Sequence, residues 1–127
     1  MSKKKILIVD DSGLVRLVVS DELSKLGYDT YIASNADKAL KSCKSKKPDL
    51  ILLDVMLPGT NGFELCKKIK GDPDIKDVPI VFMTAKDQPQ DLLEGKRAGG
   101  CAYLIKPFEG DELQRTVSKF IGKGDVW

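Results

Sequence analysis

Four apolar runs in this 127-residue chain end on residues able to do chemistry. Ile6-Leu-Ile-Val9 runs into Asp10 and Asp11, and Leu50-Ile-Leu-Leu53 into Asp54. Ile80-Val-Phe-Met83 runs into Thr84, and Ala102-Tyr-Leu-Ile105 into Lys106. A loop signal of Pro58, Gly59, Asn61 and Gly62 follows Asp54 closely. An apolar run bounded by turn residues reads as a strand buried on both faces of a parallel sheet. In open α/β sheets the carboxyl ends of strands line the crevice where ligands bind. Three carboxylates meeting there raise one another's pKa, so such a site recruits a cation or sheds charge. Hard oxygen ligands in an open, wet site favour Mg²⁺. A Mg²⁺, a lysine and a threonine hydroxyl are parts that stabilise a phosphoryl group in transfer. Asp54 then serves as the nucleophile, giving an aspartyl phosphate. Taken singly, each residue has a plainer explanation: an Asp capping a loop or helix, a strand-end threonine, a solvated lysine. The coincidence of all five is what argues for a site.

The five must be brought together by the elements between them. The first strand ends at the acidic pair, and Ser12 is a fair N-cap for a helix with Val15, Val18, Val19, Leu23 and Leu26 at helical spacing. Gly27 stands where a terminating glycine would. Residues 28–33 form a second, more polar strand suited to an edge. Residues 35–45 form a helix with Ala36, Ala39, Leu40 and Cys43 on one face. The third strand, 50–54, and its loop lead to a helix over 63–69 that packs through Phe63, Leu65, Cys66 and Ile69. The fourth strand covers 80–84, and a weakly amphipathic helix over 89–98 follows with Leu92 and Leu93 as its apolar anchors. Gly99-Gly100 ends it, the fifth strand takes 102–105, and a last helix over 111–121 turns Leu113, Val117, Phe120 and Ile121 inward. The class is α/β. With right-handed crossovers the (βα)₅ order gives a doubly wound five-stranded parallel sheet. In the order 2-1-3-4-5, strands one and three meet at the topological switch point.

Composition narrows the function classes. The length suits one domain, 1–122, with 123–127 as a short tail or the start of a linker. Apolar and charged contents of 42% and 31% are ordinary for a globular protein. Net charge is +2, and the short clusters Lys3–Lys5 and Lys44, Lys46, Lys47 read as solvated surface, not a nucleic-acid footprint. No run approaches the ~20 apolar residues of a membrane span, and the N-terminus lacks a signal-peptide core. A cytoplasmic protein is expected. Cys43, Cys66 and Cys101 lack paired spacing and read as free thiols. With no histidine, His-dependent triads and most zinc sites are excluded. No phosphate-binding glycine motif points to a nucleotide.

Ile6-Leu-Ile-Val-Asp10-Asp11, Leu52-Leu-Asp54-Val-Met-Leu-Pro58, Val81-Phe-Met-Thr84-Ala85 and Tyr103-Leu-Ile-Lys106-Pro107-Phe108 resemble the receiver domain of two-component response regulators. The resemblance covers 4–121 and implies a flavodoxin-like, chemotaxis-regulator-like receiver fold. By it, Asp54 accepts a phosphoryl group from a phosphohistidine on a sensor histidine kinase or a histidine phosphotransfer protein. Asp11, Asp54 and the Met56 carbonyl bind Mg²⁺, with Asp10 acting through water, while Thr84 and Lys106 hold phosphoryl oxygens. Tyr103 turns inward as Thr84 moves, reshaping the face of the fourth helix, fifth strand and fifth helix toward an output partner or domain. The Lys106-Pro107 bond is cis. The domain is a phosphoacceptor and not an enzyme beyond self-phosphorylation and slow self-dephosphorylation. The missing histidine agrees with a donor on another protein.

Departures from the family pattern sharpen these expectations. Thr60-Asn61 replace the usual Met-Asp before Gly62, and Gly100-Cys101-Ala102 replace alanine and acidic residues. With Ala102 neutral, Arg115 lacks an acidic partner across a dimer of last helices, so a monomer is expected. Met56 and Lys86 occupy the positions where the family tunes dephosphorylation. Met56 cannot orient a water by hydrogen bonding, which predicts a long-lived phosphoryl-Asp54. Three other classes fit less well. A haloacid-dehalogenase-type phosphatase wants an acid where Met56 stands. An FMN carrier wants Ser, Thr or Gly where Asp10 and Asp11 stand, and a non-phosphorylated pseudo-receiver would have lost one of the five residues.

Overall fold

The computed structural model describes residues 3–122 and 124. The expected tail, 123–127, lies outside the described residues apart from Gly124. In chain order the elements are β1 (Lys5–Val9), α1 (Gly13–Lys25), β2 (Asp29–Ala33), α2 (Ala36–Lys46) and β3 (Leu50–Leu53). Two short strands follow, β4 (Met56–Leu57) and β5 (Thr60–Asn61). Then come α3 (Gly62–Lys70), β6 (Ile80–Thr84), α4 (Pro89–Ala98), β7 (Ala102–Ile105) and α5 (Gly110–Ile121).

The five long strands form one parallel sheet in the order β2-β1-β3-β6-β7. This is the predicted order once β4 and β5 are set aside. Strand alternation divides the core in two. Ile6, Ile8, Leu50, Leu52, Val81, Met83 and Leu104 pack under α1 and α5 with Val19, Leu23, Leu113 and Val117. Leu7, Val9, Ile51, Leu53, Ile80 and Phe82 pack under α2, α3 and α4 with Ala39, Cys43, Leu65, Cys66 and Ala98. The helix caps follow local chemistry: the side chains of Ser12, Asn35 and Asn61 accept the N–H of Val15, Lys38 and Glu64. Gly27 takes φ 93° just past α1.

Three expectations change. The loop after Asp54 is a β4–β5 hairpin, Met56 facing Asn61 and Leu57 facing Thr60, turned at Pro58-Gly59. Proline at the first central turn position and glycine at φ 75° at the second suit a type II turn. Val18 is not core: it is 52% exposed beside Leu14, which is 71% exposed. Leu92 and Leu93 do not anchor α4, being 42% and 47% exposed, whereas Gly95 and Ala98 are buried. Phe82 is the reason. A Cβ on Gly95 would lie 3.2 Å from its ring and one on Gly100 2.5 Å, so α4 and the following turn meet the sheet through their smallest residues.

Cys43 and Cys66 are buried free thiols, and Cys101 is free and exposed. Among the described residues no helix is long and apolar enough to cross a membrane.

Candidate functional site

Register alone brings the two central carboxylates together. Val9 pairs with Leu53, so Asp10 and Asp54, each the next residue, leave neighbouring strands at the same height. The Asp54 N–H donates to the Val9 carbonyl at 2.9 Å. Continuing the alternation of Ile6, Ile8, Leu50, Leu52 and Leu104 by one step puts Asp10, Asp54 and Lys106 on the α1–α5 side of the rim.

The side chains meet there. Lys106 Nζ donates to Asp10 Oδ2 at 2.6 Å and to Asp54 Oδ2 at 3.2 Å. Asp10 Oδ1 accepts the Ser12 N–H at 2.9 Å, and Asp54 Oδ1 accepts the Met56 N–H at 3.1 Å. Asp10 and Asp54 are buried, while Asp11 is exposed at the mouth. One carboxylate oxygen from each of Asp10, Asp11 and Asp54 lies within 4.8 Å of the others. Three carboxylates thus face one ammonium, and two formal negative charges remain uncompensated. An all-oxygen donor set with that excess and an open side is what a hard divalent cation requires, so the residues present fit Mg²⁺.

Electrostatics follow from the crowding. Burial pushes the Asp54 carboxyl above its ordinary value and the Asp10 charge adds to this; the Met56 N–H and Lys106 oppose them without prevailing. Burial draws the Lys106 ammonium down, but its hydrogen bond to Asp10 and the charges of Asp54 and Asp10 outweigh that and leave it raised.

Thr84 stands apart from this cluster. Alternation puts it on the pleat of Ile80 and Phe82, the α3–α4 side, where its Oγ1 accepts the Lys86 N–H at 3.4 Å. No hydrogen bond joins it to the carboxylates among the described residues. The Lys106 ammonium, by contrast, lies among the acids. Tyr103 shares the Thr84 side, its ring 5.9 Å from that of Phe82. The Tyr103 hydroxyl is buried without a hydrogen-bond partner among the described residues, and burial with the charges of Asp91 and Asp54 pushes it up to about 12. The Lys106-Pro107 bond is cis.

Contacts invisible in the strand-end pattern complete the site. A Cβ on Gly62 would lie 2.3 Å from the Asp54 carbonyl oxygen, so the start of α3 presses on the backbone that carries Asp54. Its glycine was visible in the sequence only as a loop signal. Arg16 Nη1 donates to the Asp10 carbonyl at 2.7 Å. An arginine in the first turn after a strand-end acid gave no signal of this by spacing. Beside Lys106 opens an apolar groove of about 540 Å³ lined by Leu14, Val15, Val18, Ala85, Pro107 and Phe108. The exposed Leu14 and Val18 of α1 form one of its walls.

The response regulator receiver domain model matches residues 6–118. The chain belongs to the response-regulator receiver domain family. This receiver domain is 40% identical over 128 residues to the phosphate regulon transcriptional regulatory protein PhoB of Pseudomonas aeruginosa, covering 98% of this chain and 56% of PhoB. It is 37% identical over 123 residues to the alkaline phosphatase synthesis transcriptional regulatory protein PhoP of Bacillus subtilis, covering 97% and 50%. The chain therefore spans about half the length of these curated relatives. The solved chemotaxis protein CheY4 of Vibrio cholerae superposes with a TM-score of 0.89 at 33% identity, covering 94% of this chain and 99% of CheY4. A two-component response regulator from Clostridium difficile gives 0.88 at 33% identity, covering 93% and 95%. Receiver domains are signalling domains of two-component phosphorelays.

Proposed function

We propose that this receiver domain accepts a phosphoryl group on Asp54 from a phosphohistidine of a partner kinase or phosphotransfer protein, with Mg²⁺ bound. The observation that carries the reading is the meeting of Asp10, Asp11 and Asp54 with the Lys106 ammonium at one rim of the sheet. An oxygen of Asp54 attacks phosphorus as the P–N bond to the donor imidazole breaks, and the imidazole leaves with that electron pair. The Met56 N–H, already on Asp54 Oδ1, orients the carboxylate, and Lys106 moves from the carboxylates to a phosphoryl oxygen. Asp11, Asp54 and the Met56 carbonyl would hold Mg²⁺, with Asp10 acting through water. The bound ion would offset the charge that the acids and the phosphoryl oxygens bring together. Asp10 keeps the ammonium at the reacting centre before transfer.

Thr84 and Tyr103 carry the result to the other side of the sheet. Thr84 Oγ1 gives up the long Lys86 N–H contact for a phosphoryl oxygen, and Tyr103 settles against the space vacated. The unpartnered Tyr103 hydroxyl supports this, because a buried polar group without a partner stands to gain from a rearrangement. The α4–β7–α5 face then presents a changed surface to an output partner or domain. Phosphate adds about −1.5 to −2 charges, and a shift from 1:99 to 99:1 needs ~5.5 kcal/mol of preference for the active state. The groove beside Lys106 seats the donor protein, its apolar walls matching a helical partner. The domain acts as a monomer, since neutral Ala102 offers Arg115 no acidic partner across a dimer of last helices.

Intact mass after incubation with Mg²⁺ and acetyl phosphate tests the reading. A gain of about 80 Da in the wild type, absent in Asp54→Asn, is expected. An equal gain in both would overturn it.

A further inference from the structure

We infer that Arg16 is a positioning residue that sets the divalent-ion affinity of the site through the backbone of the acidic pair; this rests on the phosphoacceptor reading above. β1 ends at Val9, yet Asp10 still bonds into the sheet, its N–H donating to the Ala33 carbonyl at 3.1 Å. In an extended strand the N–H and C=O of one residue point the same way, so the Asp10 carbonyl also faces β2. There β2 ends at Ala33 and the chain turns at Asn35, the N-cap of α2. The ladder stops where this carbonyl needs a donor, and a backbone oxygen stripped of water needs one. Arg16 provides it from the first turn of α1, Nη1 donating at 2.7 Å, a short charge-assisted contact. A Cβ built on Gly13 would lie 3.6 Å from Arg16 Nη2, so the guanidinium spans the β1–α1 turn from Asp10 to Gly13.

Asp10 is thereby fixed at three points: its carbonyl by Arg16, Oδ1 by the Ser12 N–H, and Oδ2 by Lys106. Asp11 has no such bond to its side chain among the described residues and is exposed. Its direction is set by the Asp10–Asp11 peptide, whose oxygen is the one Arg16 holds. Loss of the guanidinium frees that peptide to rotate and takes the Asp11 carboxylate out of reach of the other two. The hydrogen bond of Arg16 is to the backbone carbonyl of Asp10 and not to a carboxylate.

Calorimetric Mg²⁺ titration of the unphosphorylated wild type, Arg16→Lys and Arg16→Met tests it, together with metal-free thermal midpoints and acetyl phosphate labelling at low and saturating Mg²⁺. Arg16→Met is expected to bind Mg²⁺ about ten-fold more weakly, as loss of a ligand's supporting contact does. Arg16→Lys, with a single donor left, is expected to fall between. Labelling of Arg16→Met recovers at saturating Mg²⁺, since the chemistry at Asp54 is untouched. Unchanged Mg²⁺ affinity in Arg16→Met, with or without a lowered thermal midpoint, would overturn the inference, as would a wild type that binds no Mg²⁺. If Arg16→Met does not fold, wild-type affinity in both Arg16→Lys and Arg16→Gln would overturn it equally. A wild type that binds Mg²⁺ in the Arg16-dependent way but is never labelled would sink the phosphoacceptor reading alone.

Discussion

The Lys106 ammonium lies 2.6 Å from Asp10 Oδ2, closer than any other ion pair among the described residues, and 96 residues separate the two in the chain. Lys106 is 23% exposed and Asp10 1%, so the contact is far less screened than a surface pair. Removing the lysine leaves two buried carboxylates with no cation. Lys106→Met is expected to lose about 2 kcal/mol, the scale of a hydrogen bond to a charged group, in urea unfolding without divalent ions. Added Mg²⁺ should restore part of this, since an ion held by the same acids would favour the folded state. The linkage has a definite sign. The folded Lys106 pKa lies above its ordinary 10.5, so the pair's contribution is complete below 10.5 and disappears as pH rises through the folded value. Lys106→Met should lack that alkaline loss.

Asp54 shows the opposite balance. Its folded pKa is raised above the ordinary 3.8, chiefly by burial, so its favourable contribution exists below 3.8 and is lost as pH rises through the folded value. At neutral pH the ionised carboxylate is therefore a net cost to the metal-free fold. Asp54→Asn is expected to raise the thermal midpoint at pH 7 without Mg²⁺, with the gain shrinking as pH falls toward 3.8. A lower midpoint at pH 7 would show that Lys106 and Met56 more than offset the burial.

Gly62 opens α3 directly against the backbone of Asp54, with no room for a Cβ 2.3 Å from its carbonyl oxygen. Helix propensity alone favours alanine over glycine by about 1 kcal/mol. Overpacking costs roughly 1–3 kcal/mol and here falls on backbone that cannot swing aside. Gly62→Ala should thus be destabilised in chemical denaturation, and its acetyl phosphate labelling should slow because Asp54 and Met56 shift together.

The apolar groove separates two routes to phosphorylation. Leu14 and Val18 line it from α1 and are not members of the acid–lysine cluster. A charge placed there, Leu14→Asp or Val18→Asp, should cut labelling by a phosphorylated histidine kinase by about ten-fold or more, equal to ~1.4 kcal/mol of lost docking. Acetyl phosphate, which needs no docking, should label these variants at nearly the wild-type rate. Equal losses by both routes would place the defect in folding instead.

Most of the fold could be read from the chain because its strands are short apolar runs closed by turn residues. Ile80–Thr84, Pro89–Ala98 and Ala102–Ile105 form with the predicted bounds. Right-handed crossovers narrowed the strand orders without choosing among them, and the order 2-1-3-4-5 is the one found. What could not be read was how far each helix would sink. Leu92 and Leu93 match an apolar anchor by type, yet Phe82 fills the space beneath α4 and admits only Gly95 and Ala98. Val18 matches a core position by spacing, yet lies over the groove and not over the sheet. The strand-end acids and Lys106 were legible because each follows an apolar run. That Thr84 leaves on the opposite pleat depends on strand parity, which a pattern read strand by strand does not compare. Arg16 was missed because its partner is a backbone carbonyl, and no side-chain motif marks it.

Asp54, and no other carboxylate of the cluster, is expected to carry the phosphoryl group. Borohydride reduction of the acetyl phosphate-treated protein converts an acyl phosphate to the alcohol, turning a phosphorylated aspartate into homoserine, which peptide mapping locates by mass. Homoserine at position 54 alone, formed only when Mg²⁺ is present, is the predicted result. Homoserine at position 10 or 11, or at none of the three, would mean that Asp54 is not the acceptor.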